Sequence, residues 1–291
     1  MNPKLQRLVS KSDKMPTLPT VYTKIQEAVE DPDTSFDDMA RIILNDQGLS
    51  ARLLRLANSA FYGYPSEVST IPDALTVIGL QQFKNMALST CIMDIFTGIP
   101  EDLVNMEQFW RKSIACGLCA RIMALELREA NSERFFLGGL MHKIGRLIIY
   151  KEEPEKALEI MEISKKRELH LHHIETEVLG FNHADVGGAL LSNWRLPKSL
   201  SELVASHIKP VLANISVRDV SLIHLADFVT EALGMGFTGE RYVPTFSEAA
   251  WGHSGLDESS LFYIVEELQR QYGEVCKIFL EKQSQPGMET S

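Results

Sequence analysis

The chain has 291 residues, of which 45% are hydrophobic and 23% charged, a composition typical of a globular protein of one large or two ordinary domains. Its formal net charge of -10 disfavours nucleic acid as a partner. Four scattered cysteines are too few for a disulfide framework, and no stretch has the length and apolar character of a signal peptide or a membrane span. We therefore expect a cytoplasmic protein that binds neither membrane nor nucleic acid.

Residues 1–100 are predicted to form an N-terminal helical subdomain. Apolar residues at helical spacing predict helices that cover 21–29, the segment from Ser35 onward, 49–60, 71–78 and 81–96. Ser35 and Asp38 approximate a capping box, and the aromatic string at 61–65 is predicted to be a packed loop. The last two helices meet at Gly79 like a helix-turn-helix, but the second offers Lys84 as its one cation, which argues against DNA reading.

Residues 101–291 are predicted to form a larger helical bundle, separated from the first part by the turn residues at 98–100. Helical periodicity covers 109–129, 135–150, 154–167, 170–180, 184–193, 199–206, 216–233 and 259–282. The segment 234–255, with its glycines and proline, is predicted to be an irregular excursion, and about the last nine residues to be a disordered tail. No segment alternates as a strand would, so the predicted fold class is all-α.

Four polar residues lie at inward-facing positions of these predicted helices. His142 lies in an apolar, glycine-bearing segment, where it needs a buried partner or belongs to a site. His183, His207 and Asp227 are the other three, and Asp227 interrupts an otherwise apolar string. Imidazole and carboxylate are common ligands of transition metals. Together with Lys143, these residues form the predicted pocket.

The chain resembles the HD-domain superfamily of metal-dependent phosphohydrolases, and more closely its HDOD branch, the HD-related output domain of bacterial signalling proteins. The resemblance covers nearly the whole chain. Four segments carry it: MPTLPTVYTKIQEAVEDPDTSFDDMARIILNDQGLSARLLRLANSAFYG, TIPDALTVIGLQQFKNMALS, FFLGGLMHKIGRLIIY and NHADVGGALLSNWRLP. The resemblance implies an HD-like helical bundle in which His142, His183, His207 and Asp227 match metal-ligand positions of the superfamily.

Two departures from the superfamily pattern put the metal site in doubt. The namesake His-Asp pair is here His142-Lys143, and an ammonium group repels a divalent cation where a carboxylate would bind it. The histidine expected on the preceding helix is also missing, with Arg111 or Lys112 in its neighbourhood. We therefore expect a buried hydrogen-bond network, with Lys143 paired to Asp227, and no cofactor. The alternative is one divalent transition metal held by the remaining residues.

Three functions follow from the resemblance and these departures. The favoured one is a non-catalytic output or interaction module of bacterial signal transduction, whose partner is a protein of the same pathway. The groove between the two bundles and the loop at 61–64 are its expected contact elements. The alternatives are a residual metal-dependent phosphohydrolase acting on a phosphoester or nucleotide, and a binder of a small anionic ligand such as cyclic di-GMP.

Two further motifs have metal-ligand spacing but weak context. Cys116 and Cys119 lie in an apolar helical pattern without a second pair, so they are interpreted as core thiols. The histidines at 170, 172 and 173 stand among lysines and glutamates, so they are interpreted as a solvated, mixed-charge helix junction.

Overall fold

The computed structural model describes residues 2–10 and 16–281, and among these residues it contains α-helices, one short 3-10 helix, turns and loops, with no strand. The predicted all-α class is therefore confirmed. The predicted disordered tail lies outside the described residues. None of the helices in the described ranges is both long and apolar enough to cross a membrane.

The N-terminal helices follow the predicted caps and turns. They are α1 (Pro3–Ser10), α2 (Thr20–Glu30), α3 (Phe36–Leu44), α4 (Gln47–Ala57), α5 (Ile71–Ile78) and α6 (Leu80–Ile95). Ser35 and Asp38 form the expected capping box, because the Ser35 hydroxyl accepts from Asp38 N and the Asp38 carboxylate accepts from Ser35 N. Gly79 separates α5 from α6 with a φ of 87°, a left-handed conformation that favours glycine.

The larger bundle is built around α7, which packs against α8, α14 and α16. Its helices are α7 (Met106–Glu126), α8 (Glu133–Met141), α9 (Ile144–Glu152), α10 (Pro154–Arg167), α11 (Leu171–Leu179), α12 (His183–Asn193), α13 (Lys198–Ser206), the 3-10 helix Pro210–Leu212, α14 (Val217–Ala232), α15 (Glu248–Ser254) and α16 (Ser260–Leu280). One hydrophobic core runs from the N-terminal helices through this bundle, and α16 packs on both α4 and α7. The division at residue 100 stays a prediction.

The predicted single helix over 135–150 is wrong, because the chain breaks it between α8 and α9 at His142 and Lys143. Consecutive residues of a regular helix point about 100° apart and do not face each other. At this break both side chains reach the same carboxylate, that of Asp227. The break therefore builds the centre of the pocket.

The prediction of an irregular excursion over 234–255 is correct only as far as residue 247. Glu248–Ser254 forms α15, which packs against α14. Ser247 caps this helix by accepting from Ala250 N, and Gly255 ends it in the left-handed conformation. Gly252 lies inside this short capped helix and does not break it.

Candidate functional site

The centre of the candidate site is the carboxylate of Asp227, which α14 buries against the junction of α8 and α9. Lys143 Nζ donates to Asp227 Oδ1 at 2.8 Å, so the predicted Lys143–Asp227 pair is present. His142 Nε2 lies 3.2 Å from the same oxygen. The structure thus brings His142, Lys143 and Asp227 together.

Lys112, which the sequence places near the missing upstream histidine, is a pocket residue that the prediction omitted. This completely buried side chain reaches from α7 to α14, with Nζ 3.0 Å from Asp227 Oδ1 and 3.0 Å from Glu231 Oε2. It also donates to the Asp227 carbonyl at 2.9 Å and to Thr230 Oγ1 at 2.7 Å. Two ammonium groups therefore converge on one carboxylate oxygen.

The charges of this cluster balance, because Glu231 supplies a second carboxylate beside the two lysines. Lys143 Nζ lies 3.5 Å from Glu231 Oε2. Burial opposes the charge on Asp227, but Lys112, Lys143 and His142 outweigh burial and hold the pKa of Asp227 well below 3.8. Burial also opposes the charge on Lys112, but Asp227 and Glu231 raise its pKa above 10.5. Both groups are charged at neutral pH.

Two of the histidines, His142 and His207, are held through Nδ1 by backbone carbonyls. The Nδ1 atoms of His142 and His207 lie 2.6 Å from Gly139 O and 2.7 Å from Val204 O. A carbonyl can only accept, so each Nδ1 carries a proton. His142 Nε2 faces the Asp227 carboxylate, whereas His207 Nε2 has no hydrogen-bond partner among the described residues.

His183 is oriented by a carboxylate instead of a carbonyl. Glu175 Oε2 accepts from His183 N at 2.8 Å and lies 2.6 Å from His183 Nδ1. The His207 ring centroid lies 5.1 Å from that of His142 and 5.3 Å from that of His183, so the three rings form a row. Burial is the main cause that lowers the pKa of both His183 and His207 well below 6.5. The imidazoles of His183 and His207 are therefore neutral at physiological pH.

Arg146 lies in a second buried charge cluster that the sequence prediction also omitted. Its Nε donates to Glu175 Oε1 at 3.2 Å, its Nη2 to Glu240 Oε2 at 3.1 Å, and its Nη1 to Thr238 Oγ1 at 3.3 Å. Arg146 therefore links the carboxylate that orients His183 to the irregular segment before α15. A signal existed in the sequence, since an arginine inside an apolar helix needs buried partners.

A cavity of 210 Å³ connects the two charge clusters. Its lining includes Lys143, Arg146, His183, His207 and Asp227, and His170, His172 and His173 as well. The interpretation of the last three histidines as a solvated junction is therefore incomplete, because they line the same cavity as the predicted pocket residues. Burial is the main cause that lowers the pKa of His172 to about 4.

These residues do not fit a divalent metal at Asp227. Cys116, His142 and Asp227 place one ligand atom each within 4.8 Å of one another, the one such group found in the described part of the chain. However, the Asp227 oxygen already lies 2.8 and 3.0 Å from two ammonium nitrogens, and a divalent cation there would face strong repulsion. All four cysteines, which fall within the described ranges, are free and buried, so Cys116 and Cys119 are core thiols as predicted.

Comparison with known proteins identifies the family of this fold and site. The family model of the HDOD domain matches residues 15–210, so the chain belongs to the HDOD domain family. It is also similar to an uncharacterized protein of Treponema pallidum (strain Nichols), with 24% identity over 229 residues, 74% of this chain and 43% of that protein. The chain therefore spans less than half the length of this curated relative.

Solved structures share the fold over almost the whole chain. An HDOD domain protein of unknown function from Geobacter sulfurreducens matches with a TM-score of 0.78 and 24% identity, covering 96% of this chain and 98% of that one. A protein of Shewanella amazonensis SB2B, provisionally named a metal-dependent phosphohydrolase, matches with a TM-score of 0.68 and 26% identity. This match covers 94% of this chain and 96% of that one. A protein of Marinobacter aquaeolei VT8, provisionally named a signal transduction protein, matches with a TM-score of 0.72 and 19% identity. This match covers 96% of this chain and 65% of that one.

Proposed function

We propose that this HDOD protein is a non-catalytic output module of bacterial signal transduction that acts through a protein partner. The observation that carries the proposal is the convergence of Lys112 and Lys143 on Asp227. Metal-dependent hydrolysis needs a cation that polarises the phosphoryl oxygen and activates water. Here the carboxylate that would hold such a cation is already neutralised by side chains of the chain itself.

The residual phosphohydrolase is the weaker alternative. In its favour are the imidazoles of His183 and His207, whose Nε2 atoms have no hydrogen-bond partner among the described residues, and the provisional name of the Shewanella amazonensis protein. Against it is the charge around Asp227, because the two ammonium groups have to leave before a divalent cation approaches. Their pairing with both Asp227 and Glu231 in a buried site opposes that departure.

The size of the cavity limits the size of the anionic ligand that the third functional alternative requires. A volume of 210 Å³ is below the range of about 300–1,000 Å³ that is typical of pockets for drug-sized ligands. Cyclic di-GMP is larger than a mononucleotide, so the cavity favours an anion that is smaller than a cyclic dinucleotide.

The expected contact elements differ in their availability to a partner. Phe61 is buried against Phe136, with ring centroids 5.0 Å apart, so its side chain faces the core and not a partner. The groove between the N-terminal helices and α16 is open, with a volume of 1160 Å³, and the partly exposed Met93 lies in its lining. Of the two elements, the groove is therefore the better contact surface for the proposed protein partner.

The proposal is tested by phosphoester hydrolysis in the presence of added Mn²⁺. Wild-type protein and the His142→Ala variant are assayed with a chromogenic monoester and diester, since a contaminating phosphatase contributes equally to both preparations. We expect the two rates to be the same, because the wild-type site assembles no metal. Turnover by the wild type that His142→Ala abolishes would support the phosphohydrolase instead.

A further inference from the structure

Glu240 is a buried anion surrounded by hydrogen-bond donors. Its side chain is 4% exposed, although it belongs to the irregular segment before α15. Its donors are one guanidinium and three backbone amides: Arg146 Nη2 at 3.1 Å, Leu171 N at 3.1 Å, Arg241 N at 3.1 Å and Tyr242 N at 3.4 Å. His170 Nδ1 lies 3.8 Å from Glu240 Oε1. The carboxylate therefore occupies a site that is built for an anion.

The donors around Glu240 are those that proteins use to bind phosphate. Leu171 is the first residue of α11, a nine-residue helix whose N-cap residue His170 makes no side-chain capping bond. Helix N-termini with free amides attract anions, and an arginine adds charge and paired donors. Glu240 Oε2 meets both of these groups at once. A phosphate oxygen at the same place would find the same two partners.

The cavity beside Glu240 contains unpartnered polar atoms that also indicate a ligand. His183 and His207 line it, both are buried, and in the described part of the chain neither Nε2 atom has a hydrogen-bond partner. Buried polar atoms without partners are rare, and such atoms in a cavity are expected to meet a bound group. A phosphate that retains one proton has an O–H that can donate to them. Lys143 and Lys209 add two ammonium groups to the lining.

We propose that Arg146 and the N-terminus of α11 form a phosphate-binding site, and that the Glu240 carboxylate occupies this site in the absence of ligand. A small phosphorylated ligand that enters the cavity replaces the Glu240 carboxylate at these donors. Anion then replaces anion, so Arg146 stays paired while Glu240 turns to solvent. The segment from Met235 to Ser247 thereby loses the contact of Glu240 with Arg146 and α11. It keeps two hydrogen bonds at Thr238, whose hydroxyl accepts from Arg146 and whose carbonyl accepts from the Tyr150 hydroxyl. The interaction module gains a ligand-dependent state that its proposed function does not require.

The first test measures binding of inorganic phosphate by calorimetry to the wild type and to Glu240→Ala. Removal of the internal carboxylate vacates the donors, so we expect affinity for phosphate to rise by at least about ten-fold. Glu159→Ala is the matched control, because it removes an equal charge from an exposed position on α10. It is expected to bind phosphate as the wild type does. Equal affinity of Glu240→Ala and the wild type, with both folded by circular dichroism, overturns the proposal.

A second measurement needs no variant and decides the question if Glu240→Ala does not fold. Hydrogen exchange of the wild-type protein is followed with millimolar phosphate and with chloride at equal ionic strength. The amides of Arg241 and Tyr242 donate to Glu240, so we expect them to exchange faster when phosphate displaces it. Amides of α16 are the internal reference. Unchanged exchange at these two amides in saturating phosphate contradicts the displacement.

Discussion

At the scale of single residues, the pocket is a balanced set of buried charges. Lys112 and Lys143 offset Asp227 and Glu231, and each of the four side chains lies within 3.5 Å of a residue of opposite charge. Burying a charge is unfavourable unless its partners remain in place. Loss of one member is therefore expected to destabilise the fold more than the same change at the surface.

Replacement of Lys143 by methionine removes one ammonium group and keeps most of the side-chain volume. Because the two carboxylates of Asp227 and Glu231 then share one ammonium group, that of Lys112, we expect the free energy of unfolding to fall by about 3 kcal/mol. Urea denaturation measures this change. The matched control is Lys209→Met, an exposed lysine at the same cavity, with an expected change below about 0.5 kcal/mol. Equal stability of Lys143→Met and the wild type would show that the pair contributes nothing.

The neutral histidines predict how stability depends on pH. Burial holds the pKa of His183 and His207 well below 6.5 in the folded chain, so below pH 6.5 the unfolded chain binds more protons. Stability is therefore expected to fall as the pH drops below 6.5, by up to about 1.4 kcal/mol per pH unit for each histidine. The depressed pKa of Asp227 affects stability only below about pH 3.8, so it does not contribute to the fall expected between about pH 7.5 and pH 5.

Urea denaturation between about pH 7.5 and pH 5 checks this expectation. His207→Gln keeps a polar side chain but removes one titrating group, so its stability should fall less steeply with decreasing pH than that of the wild type. Identical slopes for the two proteins would mean that His207 is not held neutral by the fold.

At the scale of secondary-structure elements, the pocket depends on the close crossing of α9 and α12. A Cβ atom at Gly145 would lie 2.0 Å from the carbonyl oxygen of His183 and 2.7 Å from Gly187 N. Only glycine allows the two backbones to approach so closely. This contact fixes the start of α12, and with it the ring of His183, against the helix that carries Arg146.

Gly145→Ala is expected to lower the free energy of unfolding by about 3 kcal/mol, because the backbones have to separate. Gly252→Ala is the control, since a Cβ there meets no atom of the described residues within 4 Å and alanine favours helix by about 1 kcal/mol. Thermal unfolding should therefore show a lower Tm for the first variant and an unchanged or higher Tm for the second. A Tm of Gly145→Ala equal to that of the wild type would contradict this packing.

At the scale of the whole molecule, the sequence predicts what depends on local pattern. Helix periodicity, the Ser35 cap and the turn at Gly79 follow from neighbouring residues, and the structure has them as predicted. The break after α8 is not predicted, because apolar residues keep helical spacing across 135–150, although the pairing of Lys143 with Asp227 is predicted and present. Lys112 is not predicted as a pocket residue, because its contact with Asp227 spans 115 residues. A single sequence does not display contacts of this range.

The partners of Asp227 are also the observation on which the proposed non-catalytic function rests. Family membership gives the helical architecture, but chemistry depends on the groups that reach the site. In this chain two lysines reach it from α7 and from the junction of α8 and α9. We propose that these lysines take the place of the metal.

Elemental mass spectrometry of protein purified without chelators or a histidine tag decides whether lysines or a metal neutralise Asp227. We expect wild-type protein to carry less than stoichiometric divalent metal, and the double variant Lys112→His, Lys143→Asp to acquire it, because the substitutions supply two ligands and remove two cations. A stoichiometric metal in the wild type that is lost in both His142→Ala and Asp227→Ala would instead establish a metal centre.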